Sequence, residues 1–168
     1  MKAMKAMKDI KAVRCGSSKP TPFLRKNIEL FTECDATHVI DIGCGNGRNS
    51  KYFSDLGMHV MSLDGKGDYG IKWVAGSIIP TESGSADIIL CNYVLMFLEQ
   101  RTRNDVYKEI KRISHVGSKL MIELENVKQS LIDDEDKLAA LNEEVVAAFS
   151  EWKLLKKNKN HYIFERAA

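Results

Sequence analysis

At 168 residues, with 44% hydrophobic and 29% charged side chains, the chain has the size and make-up of one domain with a sizeable core. A net charge of +2 leaves no strong footprint for nucleic acid or an anionic membrane, and no apolar run approaches the ~20 residues of a membrane span. Cys15, Cys34, Cys44 and Cys91 are scattered without C-x-x-C spacing, which argues against a zinc site or redox pair and suits free thiols in a reducing cytoplasm.

Taken in order, residues 1–14 read as a basic helix with Ile10 and Val13 on its apolar side. The lysines in Met1 to Lys8 interrupt any secretory core. Cys15 to Thr21 is a break rich in Gly, Ser and Pro. Pro22 then opens a helix carrying Phe23, Leu24, Ile28, Leu30 and Phe31. Lys19, just before it, reads as a solvated lysine within reach of a carboxylate ligand.

His38 to Ile42 is the first strand, and Gly43, Gly45 and Gly47 follow at every second position. A helix with Tyr52, Phe53 and Leu56 on its apolar face runs on to Gly57. Strand, glycine loop and helix together let the backbone approach a ligand closely and turn free N–H groups toward it. A dinucleotide loop, G-x-G-x-x-G, needs a third glycine where Arg48 or Ser50 stands, so that reading fails. An ordinary tight connection remains the plain alternative for the glycines alone.

His59 to Leu63 is the second strand, ending in Asp64, about twenty positions past the glycine loop. A carboxylate there suits ribose hydroxyls. Asp64 to Lys72 is too short and glycine-rich for a helical crossover, so either that helix is missing or strand three is rudimentary. Trp73 to Ala75 is the expected short strand, with Trp73 in the core, and Pro80 to Ser85 is a turn-rich loop.

Ala86 to Cys91 is a buried central strand ending at Asn92 and Tyr93, where ligands of open α/β sheets gather. Val94 to Leu98 is a short apolar piece. Arg101 to Ser114 is a helix stopped by Gly117, Lys119 to Leu124 a fifth strand, and Asp133 to Phe149 a helix. Trp152 to Lys156 and His161 to Glu165 form an antiparallel hairpin. The fold class is α/β: one doubly wound, mostly parallel sheet with a C-terminal hairpin and a trimmed crossover after strand two.

Asp41 followed by G-x-G-x-G resembles motif I of class I S-adenosylmethionine (SAM) methyltransferases. The run Ile42 to Ser50, Asp87-Ile-Ile-Leu90 and the run Val94 to Glu99 are similar to the tellurite-resistance methyltransferases, over roughly Asp41 to Gly117. The resemblance implies a Rossmann-like fold over residues 1–168, with residues 1–21 over a SAM cleft. Asp41, Gly43, Cys44, Gly45, Gly47 and Asn49 would line the methionine end of SAM. Asp64 and Gly65 would take the ribose, Ser77 and Ile78 the adenine, and Cys91, Asn92 and Tyr93 with Val94 the floor beneath the methyl group.

The chain departs from that family between its last two strands, where only Lys157 to Asn160 remain and His161 has no arginine beside it. Tellurite as substrate therefore does not follow from the resemblance. The expected activity is methyl transfer from SAM to a small molecule or oxyanion, with Tyr93 and His161 as loose catalytic candidates and no metal. His115 reads as a surface residue, Cys91 as structural, and Arg48 as a carboxylate clamp or a surface cation. A SAM-binding subunit that has lost catalysis is the alternative. A nucleic-acid methyltransferase is weaker, because Asn92 is followed by Tyr93-Val94 rather than Pro-Pro and an aromatic. The thin crossover leaves room for an apolar surface and a homodimer.

Overall fold

The computed structural model describes residues 19–33, 35–125, 131–132 and 134–168. The N-terminal helix expected over 1–14, and Cys15 and Cys34, lie outside them. The elements are α1 (Pro22–Lys26), α2 (Glu29–Thr32), β1 (His38–Ile42), α3 (Arg48–Asp55), β2 (His59–Asp64), β3 (Ile71–Lys72), β4 (Ala86–Asn92), a 3₁₀ turn (Leu95–Phe97), α4 (Gln100–Ile113), β5 (Ser114–Glu123), α5 (Glu135–Ala148), β6 (Lys153–Asn158) and β7 (His161–Glu165).

One seven-stranded sheet runs in the order β3-β2-β1-β4-β5-β7-β6. Strands β1 to β5 pair in parallel, and β7 runs antiparallel to β5 and β6. The central strands are buried on both faces, as a parallel sheet covered by helices requires. Alternate residues feed two cores. Ile40, Ile42, Ile89 and Cys91 face α4 and α5. Val39, Ile88, Leu90, Met121 and Ile163 face α1, α2 and α3.

Several boundaries differ from expectation for local reasons. The helix expected from Pro22 is two short helices, because the Asn27 amide donates to the Phe23 carbonyl at 2.8 Å and competes with the helical ladder. Strand three is Ile71–Lys72 rather than Trp73 to Ala75. Trp73 instead turns into the core, only 7% exposed, with its indole N–H on the Ser77 carbonyl. The helix after β2 is absent and strand three has two residues, so both possibilities for the trimmed crossover hold. No helix lies between β3 and β4 either. Arg112 holds the loop that replaces it, donating to the Ile79 and Thr81 carbonyls at 2.9 and 3.0 Å, while its ion-pair partner Glu109 accepts the Ile79 N–H. Ile71, Val74 and Ile78 stand exposed on this thin edge.

Gly117 does not stop α4, which ends at Ile113 and passes straight into β5. With φ at +92°, Gly117 serves a bulge where pairing jumps from Ala86–Ser114 to Ile88–Lys119. Beside it, at the amino end of β4, Asp87 accepts from the Thr37 and His38 N–H groups and from His115 Nε2 at 2.8 Å. Burial alone would raise the Asp87 pKa, but these donors hold it below the ordinary carboxylate value. The Val116 carbonyl and then Asp87 raise His115 above 6.5. A raised histidine stabilises fully below its unfolded pKa and loses that contribution as pH rises through the folded one. His115→Asn is therefore expected to lower the urea midpoint at pH 5.5 and to leave it nearly unchanged at pH 9. Equal loss at both values would contradict the pairing.

Candidate active site

The carboxyl ends of β1, β2, β4 and β5 and the amino end of the antiparallel β7 meet on one edge of the sheet. At β1 the chain leaves through Gly43, Gly45 and Gly47, all with φ between +56° and +79°. A Cβ on Gly43 would lie 2.2 Å from Val94 Cγ2, whereas one on Gly45 would meet nothing within 4 Å. Gly43 is glycine because Val94 packs against it. Gly45 is bare backbone facing open space.

Asp64 ends β2 and joins two loops. Its Oδ2 accepts from Gly45 N–H at 2.9 Å, and its Oδ1 accepts from the Lys66 and Gly67 N–H groups at 2.8 and 2.7 Å. Burial would raise its pKa, but those N–H groups and Lys72 hold it below the usual carboxylate range. The carboxylate stays ionised and partly open to solvent. The short crossover then folds back over the glycine loop, with the Tyr69 ring against Gly47 and the Lys51 ammonium 5.1 Å above that ring.

Asp41 points away from the surface, 3% exposed, and accepts from Ser50 Oγ at 2.6 Å; Ser62 Oγ donates to Ser50 in turn. Burial pushes its pKa up to about 6 against the Ser50 hydrogen bond. Cys44 and Cys91 are both buried free thiols, pushed up to about 12 chiefly by burial. Cys91 faces the α4–α5 core, so only its backbone borders the edge. Asn49 is buried and accepts the Thr21 N–H at 2.9 Å. Gly65 follows Asp64 in the open, and Ser77 and Ile78 stand exposed past β3, Ile78 at 78%. Lys19 is exposed.

Tyr93 sits at the β4 tip with φ at +57°, an uncommon conformation for an aromatic residue and one found where a strand end re-aims a side chain. Arg48 lies 5.9 Å from its ring, and the His161 ring is 6.0 Å away. Burial, and then the neighbouring Glu123, raise the Tyr93 phenol above its ordinary value. The structure thus brings Tyr93, His161, Asn92 and Arg48 to one end of the sheet and leaves His115 at the other. Sequence reasoning missed Glu123 and Thr21. Glu123 has no exposure, and Thr21 Oγ1 donates to its Oε1 at 2.5 Å.

Residues 40–122 match the methyltransferase domain family. The fold is the one shared by solved SAM-dependent methyltransferases. No curated protein matches the chain. Among solved structures, TehB from Haemophilus influenzae is 19% identical with a TM-score of 0.64 over 83% of this chain, which spans 60% of the TehB chain. A SAM-dependent methyltransferase from Methanosarcina mazei is 13% identical (TM-score 0.62), covering 89% of this chain and 99% of its own. The Burkholderia thailandensis 1,6-didemethyltoxoflavin-N1-methyltransferase, solved with 1,6-didemethyltoxoflavin and S-adenosylhomocysteine, is 13% identical (TM-score 0.64) over 97% of this chain and 79% of its own.

The residues present fit SAM, the cofactor named for solved proteins of this fold. Gly45 leaves a cradle that a side chain would fill. No helix among the described residues is long and apolar enough to cross a membrane.

Proposed function

We propose that the chain holds SAM across the carboxyl ends of β1 and β2 and transfers its methyl group to a small-molecule acceptor in a reducing cytoplasm. The observation that carries this is the joint between Asp64 and Gly45, which sets an ionised carboxylate beside bare backbone. In this reading Asp41, Gly43, Cys44, Gly45, Gly47 and Asn49 enclose the methionine end. Asp64 and Gly65 take the ribose, Ser77 and Ile78 border the adenine, and the backbone of Cys91 to Tyr93 forms the floor.

SAM supplies a methyl group on a sulfonium that is already electrophilic, so alignment and exclusion of water carry most of the acceleration. The glycine loop fixes the cofactor's amino-acid end, Asp64 its sugar, and Val94 closes the floor behind Gly43. The small acceptor bound by the Burkholderia neighbour on the same fold supports a small-molecule substrate. A SAM-binding subunit without catalysis is the second reading. Tyr69 over Gly47 favours it, because the ring narrows the way into the loop.

Asp64→Ala tests the cofactor assignment. A hydrogen bond to a charged group is worth about 1.5–3 kcal/mol, so S-adenosylhomocysteine affinity is expected to fall at least ~10-fold by calorimetry. Unchanged affinity would remove Asp64 from the ribose site. Transfer of a labelled methyl group to any acceptor separates the enzyme from the catalytically silent subunit.

A further inference from the structure

Where β4 and β5 end and the adjacent β7 begins, polar residues form one row. Asn92 of β4 is in register with Glu123 of β5, which is in register with His161 of β7. Two positions back, Leu90, Met121 and Ile163 form the next row, and all three belong to the core facing α1 and α3. Side chains alternate along a strand, so Asn92, Glu123 and His161 share that same face. The row continues an apolar face but breaks its pattern at the edge where the glycine loop begins, since Ile42, just before Gly43, pairs with Cys91.

The row is buried at Asn92 and Glu123, half-buried at His161, and unsatisfied. Asn92 Nδ2, Asn92 Oδ1, Glu123 Oε2 and His161 Nδ1 have no hydrogen-bond partner among the described residues. Asn92 is 8% exposed and Glu123 has no exposure. Buried polar atoms are almost always partnered, and four in one row with no partner among the described residues offer donors and acceptors to a ligand. Aromatic faces border the row. The Phe23 ring lies 5.3 Å from that of His161, and the Tyr93 ring 6.0 Å from it. Thr21, already donating to Glu123 Oε1, lies over the row as a strap.

We infer that this row is the acceptor site, and that it takes an uncharged, planar nitrogen heterocycle whose methylated nitrogen carries a proton. The inference rests on the SAM-dependent transfer proposed above. The Asn92 amide offers its N–H donors and its carbonyl acceptor side by side, matching the C=O and N–H edge of a lactam-like ring. Glu123 Oε2 accepts an N–H and sits badly against an oxyanion. The Phe23 and Tyr93 rings beside His161 give the row apolar walls for a flat ring. Besides Glu123, Glu125 and Arg48, the latter 5.9 Å from the Tyr93 ring, are the other charged groups acting on the tyrosine. In the transfer, the ring nitrogen bonds to the methyl carbon and the carbon–sulfur bond breaks, leaving its electron pair on the thioether. The nitrogen's proton passes to the Glu123 carboxylate.

Glu123→Gln keeps an oxygen for Thr21 and replaces the free acceptor with a donor; Asn92→Leu removes the amide edge at similar volume. Each variant is first titrated with S-adenosylhomocysteine, then, saturated with it, with uracil, lumazine and benzimidazole and with tellurite and selenite. The expected result is that wild type binds at least one heterocycle and neither oxyanion. Both variants should fold and bind S-adenosylhomocysteine as wild type does, while heterocycle affinity falls at least tenfold. Binding of an oxyanion in place of the heterocycles, no heterocycle binding, or heterocycle affinity in either variant equal to that of wild type overturns the acceptor assignment. Failure of the wild type to bind S-adenosylhomocysteine overturns instead the cofactor reading beneath it.

Discussion

Gly43→Ala is expected to destabilise the protein by about 3 kcal/mol or more. Two costs add. At φ of +70° an alanine Cβ sits against its own backbone, at roughly 1–2 kcal/mol. The same methyl would lie 2.2 Å from Val94 Cγ2, and forcing a packed contact apart costs about 1–3 kcal/mol. Val94 cannot simply retreat, because the 3₁₀ turn that follows it is anchored by Leu95 and Met96, both fully buried. For a chain of this length the loss corresponds to a fall in melting temperature of very roughly 6–12 °C. A melt within 2 °C of wild type would show that the close approach between the glycine loop and the β4 tip is wrong.

Gly45→Ala should behave in the opposite way. Its Cβ meets nothing in the protein, so only the backbone cost of about 1–2 kcal/mol falls on the fold. The open side of Gly45 is where the cofactor's amino-acid end is to lie, and a methyl group there overpacks the ligand by about 3 kcal/mol. That corresponds to a loss of S-adenosylhomocysteine affinity of roughly 100-fold. The pair separates two uses of one glycine loop. Position 43 serves packing and position 45 serves ligand approach, although the sequence presents them alike. A Gly45→Ala protein that binds normally would place the ligand elsewhere.

How much was legible follows from which signals are local. The β1–loop–α3 unit, the buried run of β4 and the terminal hairpin depend on neighbouring residues, and they appear where their patterns put them. Strand three shifted because Trp73 gains more from the core than from the sheet edge, a balance invisible in a short window. The Arg112 clamp that replaces a helix joins residues some thirty positions apart, so no local pattern announces it. Cys91 reads as the end of a ligand-facing strand, yet strand alternation turns its side chain into the core.

Glu123 was readable in part. A lone carboxyl in the run Leu120-Met-Ile-Glu-Leu124 is the one charge in an otherwise apolar strand end, which is a signal of a buried functional group. Its neighbours could not be read, because the row with Asn92 and His161 exists only once β4, β5 and β7 are in register. Thr21 looked like a loop residue for the same reason, since its two partners, Asn49 and Glu123, are far along the chain.

The central claim is that the adenosyl cofactor lies over the joint between Gly45 and Asp64. Amide resonances followed while S-adenosylhomocysteine is added to the wild-type protein test it most directly. The account predicts saturable shifts at one site, largest at Gly43 to Gly47 and at Asp64 to Gly67, with the amide on Asp64 Oδ2 among the most affected. No shift at saturating ligand, or shifts confined to residues away from these two loops, would contradict it.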